Sequence, residues 1–142
     1  VRAVPLALSI SLSLVSVSAF AQQCLHGTGE TAEQTARRRE ALAATRTINN
    51  LQFNQPNAQK RIFFSHAQLA ESPLAASMRA NPNEFSKRIS FTPDGEILPG
   101  WKLTLDLTAD GYWFSISDKT DPCGFAYISN HAGVIYTSEP LR

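Results

Sequence analysis

The residue types best suited to chemistry stand close together at the start of "CLHGTG", where Cys24 and His26 are two apart, with His66, Cys123 and His131 further along the chain. A cysteine beside a histidine is the raw material of a nucleophilic thiol, which also needs a base in hydrogen-bond reach and a third group to orient that base. Spacing alone supplies neither. The plainer expectation is a disulfide cysteine next to a solvated histidine in a mobile entry segment. The chain has two cysteines, an even number that an oxidising compartment pairs. A Cys24–Cys123 bridge closes a loop of about 100 residues, for which chain entropy gives about 4.7 kcal/mol as an upper guide. The histidines lack metal-ligand spacing, and neither C-x-x-C nor H-E-x-x-H occurs, so no zinc site is expected.

Two other groupings carry weaker chemistry. "SDKTDP" sets Ser117, Asp118 and Asp121 in one inter-strand loop, the hard oxygen donors that calcium prefers. The same run is ordinary turn chemistry, and Lys119 brings a positive charge into it. Trp113 alternates with Tyr112 and Phe114, so it points to the other sheet face and is the candidate binding residue. Arg37, Arg38 and Arg39 are expected to be a solvated face paired with Glu33 and Glu40. Gly27 and Gly29 are too isolated to cradle a phosphate. No carboxylate pair has a context for acid and base work, so no catalytic residue is assigned.

These residues belong to a chain with an export address. Residues 1–21 hold Arg2, then an uncharged apolar and serine-rich run ending Ala19-Phe20-Ala21, which reads as a secretory signal peptide cut before Gln22. Pro5, the serines and the lack of a basic flank set it apart from a membrane span. Phe20-Ala21-Gln22-Gln23 lacks the small residue before Cys24 that lipidation requires. Removing Arg2 leaves Lys plus Arg balanced against Asp plus Glu, so neither nucleic acid nor an anionic membrane is an expected partner. The remainder, 22–142, is the right size for one domain in a periplasmic or extracellular setting.

The elements that position the candidate residues follow from period and punctuation. A segment from about 30 to 52, rich in Ala, Arg and Glu and opened by a Thr31/Gln34 capping box, predicts a long helix with Ala32, Ala36, Ala43, Ile48 and Leu51 on its buried stripe. "NQPN" stops it. Two short helices follow, one capped by Ser65 with Gln68 and one by Ser72 ahead of Pro73. Thereafter the period becomes two: "WKLTLDLT" places Trp101, Leu103, Leu105 and Leu107 on one face, Asp110-Gly111 signals a hairpin, and "YWFSIS", "GFAYIS" and "GVIYTS" continue. A shorter pair, "RISF" and "EILPG", is expected to flank Pro93-Asp94-Gly95. The predicted class is α+β, a long N-terminal helix packed on an antiparallel β-meander.

Taken in order, "REALAATRTINNLQFNQ", "SHAQLAES", the meander opening "LPGWKLTL", the "DGYWFSI" strand and the closing "GFAYISNHAGVIY" resemble the soluble heads of type IV pilins and type II secretion pseudopilins. The helix pattern A-x-R-x-I-N falls on Ala44, Arg46, Ile48 and Asn49, and the last strand opens Gly133-Val134-Ile135. The likeness spans most of 22–142, through short motifs that are mostly structural. It implies a pilin-head-like fold, an exported location, an envelope, pilus or secretion-system partner, and calcium near the Asp118 and Asp121 loop. One departure bears on function. A pilin's apolar stretch runs on into the head's helix, whereas here it precedes a signal-peptidase-type site and the helix carries "ARRRE". The resemblance therefore implies a non-catalytic binding or structural component, not a filament subunit. The alternatives are a small secreted hydrolase using Cys24 or a histidine, and a calcium-stabilised binding module.

Overall fold

The computed structural model describes residues 24–91 and 95–138; the signal peptide expected over 1–21, its cleavage before Gln22 and the Pro93-Asp94 turn lie outside them. Helix α1 runs Ala32–Asn54. The Thr31 hydroxyl accepts from the Gln34 N–H, and the Gln34 side chain accepts from the Thr31 N–H at 2.8 Å, so two otherwise orphaned donors of the first turn are satisfied. Its buried face is Ala41, Ala44, Thr45, Ile48, Asn49, Leu51 and Gln52. That corrects the expected stripe: Ala32 and Ala36 are exposed, because the first turns face inward through Thr35, Arg37 and Arg38, which bond to polar groups.

After α1 the chain doubles back through a 3-10 turn, Ala58–Lys60. Buried Gln52 holds this return by pairing both halves of its amide with the Phe64 backbone, each bond 2.8 Å. Helices α2 (His66–Glu71) and α3 (Pro73–Ala80) meet at Ser72. The Ser72 hydroxyl donates to the Leu69 carbonyl at 2.7 Å and accepts from the Ala75 N–H at 3.2 Å, so one side chain ends one helix and opens the next.

Five strands follow: β1 Glu96–Leu98, β2 Trp101–Leu107, β3 Tyr112–Asp118, β4 Ala126–Asn130 and β5 Ile135–Ser138. They pair in sequence order as an antiparallel meander. The molecule is thus α+β, with α1 laid on the sheet. Trp101, Leu103, Phe114, Ile116 and Tyr127 are buried with Ile48, Leu51 and Leu69 in one core. Leu107, expected among them, lies exposed at its strand's end. "RISF" is not a strand; Ser90 donates one backbone bond to Ile97, and the residues from Arg88 to Phe91 are irregular.

One polar network fixes how helix and sheet meet. Asn49 donates to the Ser129 hydroxyl at 2.9 Å and accepts from the Tyr112 hydroxyl at 3.1 Å, and Ser129 in turn donates to the Val134 carbonyl at 2.8 Å. Burial pushes the Tyr112 phenol up to about 12. At Gly133 the backbone is left-handed, φ 74°, and a Cβ would sit 2.9 Å from the Phe53 ring, so glycine both permits the turn and lets α1 approach it.

Candidate functional site

Cys24 and Cys123 are joined, with Cα atoms 5.2 Å apart. The bridge fastens the segment before α1 to the β3–β4 loop. Cys24 therefore offers no thiolate, and the cysteine–histidine pair has lost its nucleophile. The two-residue spacing instead delivers His26 to the interior, which corrects the expectation of a solvated histidine.

The His26 side chain is 1% exposed. Its ring lies 4.6 Å from Phe125 and 5.6 Å from Trp101, centroid to centroid. Nδ1 meets Glu30 Oε1 at 3.1 Å and Nε2 meets Asp118 Oδ2 at 2.9 Å. An ionised carboxylate only accepts, so a ring nitrogen that bonds one does so as a donor. Two arginines complete the cluster: Arg38 ion-pairs with Glu30 at 2.8 Å, and Arg37 reaches Asp118 at 3.4 Å while lying over the Trp101 ring. Gly100, at φ +80°, leaves room for that guanidinium; a Cβ there would sit 3.0 Å from Arg37 Nη2. Arg37 thus pairs across the fold and Arg38 with Glu30 just ahead of its own helix, rather than with Glu33 and Glu40, and Glu40 pairs instead with Arg88.

Electrostatics follow from these partners. Burial pushes the Glu30 carboxyl up, but Arg38, His26, the Thr35 hydroxyl and the Gly27 N–H together hold it below the usual carboxylate range. Burial acts likewise on Asp118, and Thr120, His26 and Arg37 outweigh it. With both nitrogens engaged and the ring enclosed, His26 is a positioning group that locks the N-terminal segment onto β3. It is not presented to a substrate.

Ser117 and Asp118 end strand β3 and only Asp121 lies in the β3–β4 loop expected for all three; Asp118 and the Oδ1 of Asp121 have partners of their own. Asp118 accepts from His26, Arg37 and Thr120. Asp121 Oδ1 accepts from the Leu25 N–H at 3.1 Å and the Cys123 N–H at 3.0 Å, while its buried Oδ2 has no hydrogen-bond partner among the described residues. A calcium ion, which takes six to eight oxygens, would have to compete with Arg37 and His26 for Asp118. Among the described residues no three His, Cys, Asp or Glu side chains are grouped to hold a metal. The remaining histidines sit elsewhere, His66 at the start of α2 and His131 in the β4–β5 turn.

Trp113 lies on the sheet face away from α1, as alternation predicts, and is 42% exposed. Sequence reasoning missed its companions. Ile128 faces Tyr136 directly across β4 and β5, and Trp113 pairs with Asn130, one step along the same face from Ile128. Ile128 is 36% and Tyr136 55% exposed. Three large apolar side chains thus form a diagonal stripe over three strands, bordered by Thr104, Asp106, Ser115 and Asn130. A concavity of about 300 Å³ lies between the end of α1 and the start of α3, lined by Leu51, Pro56, Phe64, Pro73 and Leu74 with the amides of Asn50, Asn54 and Gln55.

Compared with known proteins, the chain matches no family model, no curated protein and no solved structure. The geometry therefore stands by itself: a disulfide-tied two-layer domain with a buried charge cluster and a sheet face that nothing among the described residues covers.

Proposed function

We propose that this chain is an exported, non-catalytic, pilin-head-like protein that works by binding, as a component of the cell envelope or of a pilus or secretion system. The observation that carries the reading is the uncovered stripe of Trp113, Ile128 and Tyr136. Contiguous exposed apolar side chains rimmed by polar ones mark interaction surfaces, and tryptophan and tyrosine are the side chains that most often anchor them. The disulfide supports an oxidising location, periplasmic or extracellular. The order of elements, a long helix followed by a meander, agrees with the pilin-head resemblance.

Export has a direct readout. Intact mass of the protein recovered outside the cytoplasm is expected to match a chain starting at Gln22, two hydrogens short of the dithiol. A mass with residues 1–21 retained, or with two free thiols, contradicts the assignment. For binding, the purified exported protein is titrated against an envelope fraction of the producing cell. Trp113→Ala is expected to weaken association at least tenfold, a loss of about 1.4 kcal/mol or more. Because Trp113 lies outside the core, its removal leaves the melting temperature nearly unchanged. Equal binding by the variant and the parent overturns the reading.

A further inference from the structure

The bridge and the buried charge cluster hold down a segment that the core does not use. Among the described residues, the hydrophobic core takes no side chain from ahead of Ala41. Of the stretch from Cys24 to Glu30 only His26 is buried, and Gly27, Thr28 and Gly29 are exposed. The stretch nevertheless covers apolar surface, because the His26 ring lies against Trp101 and Phe125, both almost wholly buried. Besides the bridge, two hydrogen bonds among the described residues fasten it to the sheet side, Leu25 N–H to Asp121 and His26 Nε2 to Asp118. Glu30 is held at the helix end by Arg38 and Thr35, so its bond with His26 closes within the stretch itself. Ordering seven residues costs more conformational entropy than two hydrogen bonds and one ring contact return. The bridge supplies the difference by fixing Cys24 beside the β3–β4 loop. Both cysteines are partly exposed, so a thiol in solution reaches their sulfurs.

We propose that Cys24 to Glu30 is a strap whose closure is set by the redox state of the bridge. The reductant is a dithiol. One of its thiolates attacks a bridge sulfur, the S–S bond breaks, and the other sulfur leaves with the electron pair and takes up a proton. The second thiol of the reductant then displaces the remaining cysteine from the mixed disulfide. Two electrons and two protons have passed to Cys24 and Cys123, and the reductant ends as a disulfide. Released at Cys24, the strap turns outward at Gly27 and Gly29, where the lack of a Cβ lets the backbone take either sign of φ. That uncovers Trp101 and Phe125 together with Asp118. The core between Ala41–Gln52 and the sheet stays folded, since none of its contacts runs through the strap. Reoxidation closes the strap again. The Trp113 face lies on the other side of the sheet, so this device stands or falls apart from it.

Hydrogen exchange read by mass spectrometry tests the proposal on the exported, disulfide-bonded protein treated with dithiothreitol at neutral pH without heating. Once both thiols titrate, the amides of residues 25–30 are expected to exchange at least about tenfold faster, while those of Ala41–Leu51 and Tyr112–Ile116 keep their rates. In Trp113→Phe, Trp101 is the remaining tryptophan, and its emission is expected to move to the red on reduction and back on reoxidation. The double variant Cys24→Ser, Cys123→Ser is expected to exchange fast in the strap from the start and to ignore dithiothreitol. A bridge that dithiothreitol fails to reduce in the folded protein overturns the proposal. So does a reduced protein whose strap exchanges at the oxidised rate, and so does one whose core amides quicken along with the strap, which is unfolding of the whole domain.

Discussion

Replacing both cysteines by serine is expected to lower the melting temperature by roughly 6 to 25 °C, the largest of the expected effects. The bridge joins residues separated by 99 positions, nearly the whole folded domain, so breaking it returns most of the loop entropy to the unfolded chain. The chain-entropy estimate for such a loop is about 4.7 kcal/mol, and measured losses for small secreted domains run from about 2 to 5. Lying between small domains, at about 4–8 °C, and those of 150–250 residues, at about 2–4 °C, a domain of this size shifts by roughly 3–5 °C for each kcal/mol. The loss also has a local component. Without the bridge, the segment from Cys24 to Glu30 is held by the His26 bonds and the Leu25 N–H to Asp121 bond, so His26 buries less firmly. Thermal melts of parent and double variant, both under non-reducing conditions, give the number. A shift below about 3 °C, less than 1 kcal/mol, contradicts a structural role for the bridge.

Next in size, His26→Ala is expected to cost about 1–3 kcal/mol and to make the protein more sensitive to acid. The substitution removes the ring that bridges two buried carboxylates and leaves oxygens of Glu30 and Asp118 facing a cavity, the situation in which the desolvation cost of an unsatisfied group is felt in full. Arg37, Arg38 and Thr120 remain, which keeps the loss below that of an entirely orphaned pair. The pH dependence has a definite sign. Glu30 and Asp118 are both held below their ordinary values in the fold, so their contribution is fully present above the unfolded carboxyl range, about 4. It is lost as pH falls through the folded-state values, where the unfolded chain already binds more protons. In His26→Ala one cause of the lowering is gone, so acid unfolding should begin at higher pH than in the parent. An acid transition at the same pH in both proteins would show that His26 does not hold these carboxylates. Since the bridge and His26 fasten the same segment, the two losses should combine non-additively.

How far the residues themselves announce this arrangement differs from one feature to the next. Helix starts are legible because capping is local: Thr31 with Gln34, Ser65 with Gln68, and Ser72 ahead of Pro73 each act within one turn. The two long strands are legible because alternation over seven residues is a strong signal. "RISF" misleads because strand-forming residue types do not supply a pairing partner. The helix stripe misleads because alanine tolerates exposure, while Thr35, Arg37 and Arg38 turn inward to polar partners, Arg37 to one far away in the chain. His26 is hidden for the same reason: Asp118 lies 92 residues on, and spacing near Cys24 carries no trace of it. The stripe beside Trp113 is legible only in part, since alternation places Ile128 and Tyr136 on faces of their own strands but the register that aligns them is set by the turns.

Whether the sheet face around Trp113 is the working surface is read out by position-specific photo-crosslinking in the producing cell. A photoreactive residue is placed at Trp113 and, separately, at Leu74, which is exposed on the helix side beside the cavity. A discrete adduct with an envelope, pilus or secretion-system protein is expected from position 113 and none from position 74. An adduct from position 74 alone, or none from position 113 in correctly exported, disulfide-bonded protein, contradicts that role for the face.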